Sequence, residues 1–398
     1  MTLDLLFPTL PPALDGIGDH TVRLADALAP LCTVRIRTGA EPAHGPDGVA
    51  TRSGYNFESR EGLRCLMDDL RHDAPNWVVL QYNPFSYGRW GWNPYLPHAL
   101  WQLRTAAPAI RLAVVVHEPF VPAHSWQFAV MATWQRLQFW TLGRLADVAF
   151  FSIAPWAMRF ATWFPTTVVH HLPVGSNIPN VGAVPAVSRS AFDLPDDALV
   201  LGVFGSAHPS RLLPFVREAA HTIQRQQPVH VLYVGAAGDT VREHLGPDVP
   251  LTDTGPLPAV DVSRAFAAMD LYLAPFRKGV STRRGSFLPG LQHGIPSLST
   301  WGVHTDAMLL AQNDAAFALT PDDDPAAFAT VAARLAADAK RRDRMGAAGR
   351  RFFDRHFRWS TLADRLLEGL LGTSGDGQAD AALPSLPPFR SPLSGSRP

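Results

Sequence analysis

The chain has 398 residues, enough for two domains of ordinary size, and its 35 Lys+Arg balance its 35 Asp+Glu to a formal charge of zero. That balance argues against a nucleic-acid binder, and 46% apolar against 18% charged residues argues against extensive disorder. No stretch reaches the ~18 uncharged apolar residues of a membrane span. The opening MTLDLLFPTLPP lacks the basic region of a secretory leader, and two cysteines, Cys32 and Cys65, make neither a disulfide framework nor a zinc cluster. The expectation is a cytoplasmic protein.

Short apolar runs alternate with helical patterns from the first residues onward. Strands are expected at Thr2–Phe7, Thr33–Arg37, Trp77–Gln81, Arg111–Val116, Asp147–Phe151 and Thr167–Leu172, rich in the residues that suit a parallel sheet buried on both faces. A helix over Asp19–Ala29 follows the first strand, with Asp19 as its expected N-cap and Pro30 as its stop. The stretch Pro173–Pro195 holds four prolines and no periodicity, and reads as an interdomain linker. After it the alternation restarts, with strands near Leu199–Phe204, Val229–Val234, Leu271–Pro275 and Ile295–Ser299. Helices centre on Leu212–Gln226, Val262–Ala268 and Arg283–His293. Asp324-Pro325 opens another helix, running to about Lys340, and one more begins near Ser360. The tail from Thr373 is rich in Pro, Ser and Gly, and is expected to be disordered. The fold class is therefore α/β, two Rossmann-like domains facing across a cleft.

Open parallel sheets bind ligands beyond the carboxyl ends of their strands, so the candidate residues are those just past each strand. Gly16 and Gly18 follow the first strand in a GxG without the third glycine, either a diphosphate cradle or a plain turn. The third strand runs into QYNPFSYGRWGWNPY, where Gln81, Tyr82, Asn83, Tyr87, Trp90 and Trp92 set aromatic rings beside polar groups, as sugar-binding surfaces do. Nine of the eleven tryptophans fall between Trp77 and Trp163, and core filling explains such rings equally well. The stretch Trp126–Phe164 carries few charges. It reads either as a peripheral membrane contact, at the inner face, or as a buried helix and strand. His117 stands at the end of the fourth strand, placed to act as a base or an orienting group.

In the second half, Gly205 and Ser206 with Arg211 combine a small-residue turn and a cation, which suits a diphosphate. The run Phe276–Ser286 brings Lys278, Arg283 and Arg284 together with Ser281, Thr282 and Ser286 at the entrance of the expected Arg283–His293 helix. That is an anion-binding arrangement.

The order of these features, from the GIGDH loop through strand-HE, PVGSNIP, the FG turn and APFRKGVSTRRGSFLPGLQHGIPSLST to RHFRWSTLADRLLEGL, resembles family 4 glycosyltransferases of the GT-B fold over about residues 1–371. The resemblance implies an acceptor-binding domain at 1–172, a linker at 173–195, a nucleotide-sugar domain at 196–350, a helix at 351–371 returning to the first domain, and a disordered tail at 372–398. It implies sugar transfer to a glycan, lipid-linked or small-molecule acceptor, with retention and with neither metal nor cofactor beyond the nucleotide-sugar donor. Gly16, Gly18, Gly205, Ser206, Lys278, Ser281, Thr282 and Ser286 would hold the donor. Arg211, Arg283 and Arg284 would support the leaving diphosphate, and His117 would face the sugar. Gln81, Tyr82, Asn83, Tyr87 and Trp90 would take the acceptor.

One departure stands out. The family's two glutamates, separated by seven residues, fall here on Ser281 and Pro289. Two other readings therefore stay open, an inactive homologue serving as a binding or partner subunit, and a sugar-nucleotide epimerase.

Overall fold

The structure is a computed structural model and describes residues 1–372 apart from 40, 42 and 124. It contains two parallel sheets. The first is built from β1 (Thr2–Leu6), β2 (Thr33–Arg37), β3 (Ala50–Arg52), β4 (Trp77–Tyr82), β5 (Arg111–Val116), β6 (Val148–Phe151) and β7 (Val168–His171), in the order β3-β2-β1-β4-β5-β6-β7. The second holds β8 (Leu199–Phe204), β9 (Val229–Val234), β10 (Leu251–Asp253), β11 (Leu271–Ala274), β12 (Ser297–Trp301) and β13 (Ala318–Pro321), ordered β10-β9-β8-β11-β12-β13. Strand order therefore reverses between β1 and β4 in one sheet and between β8 and β11 in the other. Those are the two places where the loops leaving neighbouring strands diverge and open a crevice.

Ten strands fall where the apolar runs place them. The other three, β3, β10 and β13, are short edge strands whose segments ATR, LTD and ALTP carry too few apolar residues to signal a buried strand. Each sheet is covered on both faces by apolar clusters. The one charge in β1, Asp4, is fully buried, and it is matched by Arg35 at 2.6 Å and Arg37 at 2.8 Å from the neighbouring strand.

Several helix boundaries differ from expectation. The first helix spans Gly16–Leu28 and its N-cap is Asp15, whose carboxylate accepts from Ile17 and Gly18 N–H; Asp19 lies inside the first turn. The segment Pro173–Pro195 contains a helix, Pro185–Ala191, too short to show a period in sequence. The expected Arg283–His293 helix shrinks to Leu288–Gln292, and Pro289 sits in its first turn, where a missing N–H costs nothing. Asp324 caps Pro325–Ala337 as expected, and Asp338 then starts a separate helix, Ala339–His356. The tail from Thr373 lies outside the described residues.

The final helix, Trp359–Leu371, packs on the first domain. Leu362, Ala363, Leu366 and Leu370 join the core that contains Leu3, Leu5 and Val115. Gly369 permits this approach, since a Cβ there would lie 2.6 Å from the Phe150 ring. A second tie is the fully buried Asp306. Its carboxylate accepts from Ala154 N–H at 2.6 Å and from Thr282 N–H at 2.8 Å, so one side chain of the second domain caps a helix of the first. Replacing Asp306 by Ala leaves both N–H groups buried and unmatched, and is expected to cost about 3 kcal/mol in urea unfolding. Asp306→Asn retains one acceptor and should cost less.

Candidate active-site cleft

The two crevices face each other and enclose a cavity of about 670 Å³. Its walls come from the loop and helix start after β1, from Asn83 and Ser86 after β4, from His117 after β5, from Phe204 and Gly205 after β8, and from Arg283 to Ser286 after β11. Residues of the interdomain segment, Val174, Gly175, Asn177 and Ile178, close one side. That segment is a wall of the site as well as a connection.

On the first domain, Gly16 leaves open space where a Cβ would be, and its carbonyl accepts from Asn177 Nδ2 at 3.1 Å. Gly18 serves packing instead, for a Cβ there would lie 2.5 Å from the Thr9 carbonyl. His117 projects into the cleft from the end of β5. Its Nε2 is 2.8 Å from Gln81 Oε1, so with that oxygen as acceptor Nε2 carries the proton and Nδ1 remains an acceptor. The His20 ring stands edge-on to it at 4.8 Å and also touches Trp359 at 5.1 Å. Burial pushes His20 down to about 4, and burial with the neighbouring His20 holds His117 well below the usual histidine range. Both rings are neutral at pH 7.

The opposite wall is cationic. Arg211 donates to Ser286 Oγ at 2.9 Å and to the Phe204 carbonyl, and its guanidinium lies 4.6 Å from the Phe276 ring centre. Arg284 lies 4.7 Å from the same ring, and Arg283 lies 4.8 Å from Trp156. Among the described residues, the only carboxylate paired with this trio is Glu118, 3.3 Å from Arg283. Arg211 Nη1, Arg283 Nε and Arg284 Nε are buried without a partner among the described residues. Burial, then Arg283 and Arg211, press Arg284 down to about 9. Three guanidiniums, one carboxylate and three idle donors define a site short of an anion. Arg283 and Arg284 precede their helix, which begins only at Leu288, and Arg211 stands in a bridge to Phe276.

Of the residues singled out in sequence, the cavity gathers Gly16, Asn83, His117, Gly205, Arg283, Arg284 and Ser286, with Arg211 bonded to Ser286 behind it. The others stand elsewhere. Ser206 and Lys278 are exposed and outside the lining, and Lys278 N–H is held by Asp322. Ser281 is buried, and Thr282 is spent on the domain junction, donating to the Ser152 carbonyl at 2.7 Å. Tyr82 and Tyr87 are fully buried; Tyr87 donates to the Gln81 carbonyl at 2.7 Å and Tyr82 accepts from Gln138 Nε2. Gln81 is likewise buried and orients His117. Trp90 is on the outer surface. Sequence reasoning missed Asp15, Asp19, His20 and Asn177. The His following GIGD was a legible signal, since a helix that starts at the cleft carries its first turn into it.

A second cavity, of about 890 Å³, lies on the first domain and shares Ser86 with the cleft. Thr9, Glu41, Tyr55, Asn56, Phe57 and Glu58 are among its walls.

A neutral buried histidine makes stability depend on pH. His20 stays unprotonated in the folded state down to about 4, whereas the unfolded chain takes up its proton near 6.5. Its contribution is therefore complete above pH 6.5 and is lost as the pH falls toward 4. From pH 7 to pH 5 the loss from His20 alone should be about 2 kcal/mol in urea unfolding, and His20→Phe should flatten the slope by that amount.

No family model matches the sequence, and no curated protein matches it either. Solved structures do match. Sucrose-phosphate synthase from Thermosynechococcus elongatus superposes with a TM-score of 0.69 at 17% identity, over 94% of this chain and 100% of that one. A glycosyltransferase from Rickettsia africae ESF-5 gives 0.68 at 12% identity, over 94% and 99%. HepE from Anabaena, solved with UDP and glucose, gives 0.66 at 16% identity, over 94% and 100%. At these identities the likeness speaks to architecture, and the architecture of this chain is the two-domain Rossmann-like fold of the GT-B glycosyltransferases.

Proposed function

We propose that the protein is a glycosyltransferase that moves a sugar from a nucleotide-sugar donor to a glycan, lipid-linked or small-molecule acceptor, with retention and without a metal. The observation that carries this reading is the pair Arg283 and Arg284 facing the neutral His117 across the cleft, with Arg211 behind Ser286 and one carboxylate for the three. A nucleoside diphosphate supplies the missing charge. As the bond from the sugar's anomeric carbon to the diphosphate oxygen breaks, negative charge grows on the leaving group, and Arg283 and Arg284, with Arg211 steadying Ser286, stabilise it. The acceptor oxygen bonds to the anomeric carbon on the face the diphosphate leaves, and its proton passes to a leaving phosphate oxygen. His117, uncharged and with Nδ1 free, accepts a hydrogen bond from a sugar hydroxyl and does not repel a cation-like transition state. The second cavity, joined at Ser86, takes the acceptor in place of the buried Tyr82 and Tyr87.

HepE, whose structures hold UDP and UDP-glucose, makes UDP the first nucleotide to try. In a thermal-shift panel of UDP, GDP, ADP and TDP, one nucleotide should raise the melting temperature by a few degrees at ~100 times its dissociation constant. Arg284→Ala should weaken that nucleotide by roughly 10- to 100-fold in calorimetry while leaving the fold intact. His117→Ala should slow transfer by about 100-fold with nucleotide affinity nearly unchanged, since it positions the sugar and does not hold the phosphates.

Loss of both family glutamates, at Ser281 and Pro289, motivates the binding-subunit reading. Tight nucleotide binding with no transfer to any acceptor would favour it. Interconversion of the nucleotide sugar with no acceptor present would instead identify an epimerase.

A further inference from the structure

The helix Trp126–Leu145 is apolar on two sides. Ala132, Phe139 and Leu142 face inward and are buried. Outward, Trp126 is 76% exposed, Val130 50%, Leu137 62% and Trp140 43%. Their spacing places them along one stripe of the helix, and no described residue covers it. One face of this helix is therefore core, and the opposite face is left exposed.

The helix itself carries charge of a single sign, from Arg136 and Arg144. Between Asp73 and Asp147 the only acidic residue is Glu118, and it is paired with Arg283 in the cleft. The same interval contains Arg89, Arg104, Arg111, Arg136 and Arg144, of which Arg104 is paired with Asp147 at 2.5 Å. Arg136 and Arg144 are exposed on the helix itself, and the Arg144 guanidinium lies 5.2 Å from the Trp140 ring centre.

We propose that this face docks the protein onto an anionic lipid bilayer, with Trp126, Leu137 and Trp140 at headgroup depth and Arg136 and Arg144 on lipid phosphates. Indole rings favour the membrane–water boundary because one edge is apolar and the other can hydrogen-bond. Arginine adds attraction to an anionic surface. A second copy of the chain fits poorly, because a two-fold contact sets the same patch against itself, arginine against arginine with no carboxylate between. The helix is also tied to a loop that lines the cleft. The Trp90 carbonyl accepts from Trp134 Nε1 at 3.2 Å and Gln135 Nε2 at 2.9 Å on this helix, and the loop carrying Trp90 holds the cleft residues Asn83 and Ser86. Docking through this face presents a lipid-linked acceptor to the cleft mouth, a deepening that rests on the transferase reading, whereas the docking itself does not.

Co-sedimentation with vesicles, run without nucleotide, tests the docking alone. The full chain should bind vesicles of phosphatidylcholine with phosphatidylglycerol, bind pure phosphatidylcholine weakly, and release steeply as salt is raised. Arg136→Gln with Arg144→Gln should weaken binding by about thirtyfold. Trp126→Ser, Leu137→Ser and Trp140→Ser together should weaken it by at least roughly tenfold. The substituted side chains are exposed, so melting temperatures should stay near wild type. Should the triple variant melt early, the paired arginine variant and the salt dependence of the unaltered chain still decide. Binding to neither vesicle, equal binding to both, or variants that bind like wild type would overturn the proposal. So would a wild-type dimer in analytical ultracentrifugation that the triple variant turns into a monomer, which would assign the stripe to a second copy.

Discussion

The buried carboxylate of Asp306 sets the relation between the two sheets on which the cleft depends. A charge placed in a protein interior must be matched by donors, and here the donors come from both domains, Ala154 N–H from one and Thr282 N–H from the other. Thr282 continues the tie through its hydroxyl to the Ser152 carbonyl, and its neighbour Arg283 pairs with Glu118 across the gap. The loop that anchors the junction is therefore the loop that presents the arginines. Neither job can be altered without disturbing the other.

Within the cleft the electrostatics are asymmetric. The first-domain wall offers a helix start capped by Asp15 and two histidines kept neutral by burial. The second-domain wall concentrates three guanidiniums whose flat faces rest on Phe276 and Trp156 in place of carboxylates. Aromatic faces soften the repulsion without consuming the N–H donors. Three guanidiniums against a single compensating carboxylate leave that wall positive.

The outer surface of the first domain follows a similar economy. Arginines accompany exposed indoles on the helix Trp126–Leu145, and hydrogen bonds to the Trp90 carbonyl tie that helix to the loop that lines the cleft. The loop from Asn83 to Trp92 spans the distance between helix and cleft, with Asn83 and Ser86 on the cavity wall and Trp90 exposed.

The sequence by itself determined the alternation of strands and helices, and so which loops lie at the carboxyl edges of the sheets. Gly16, His117, Gly205, Arg283, Arg284 and Ser286 were found from their place after a strand, since the period of an apolar run and the turn that ends it are local properties. The edge strands β3, β10 and β13 escaped because a strand paired on one side needs little apolar content. The short helix at Pro185 escaped because two turns have too little period to read. Only the tertiary structure decided that Tyr82 and Tyr87 are core, that Gly18 is packing, and that Thr282 belongs to the domain junction. A hydroxyl or a ring has the same identity in sequence whether it meets ligand, core or another domain. What separates those fates is the partner, and for Thr282 the partner is Ser152, 130 residues away.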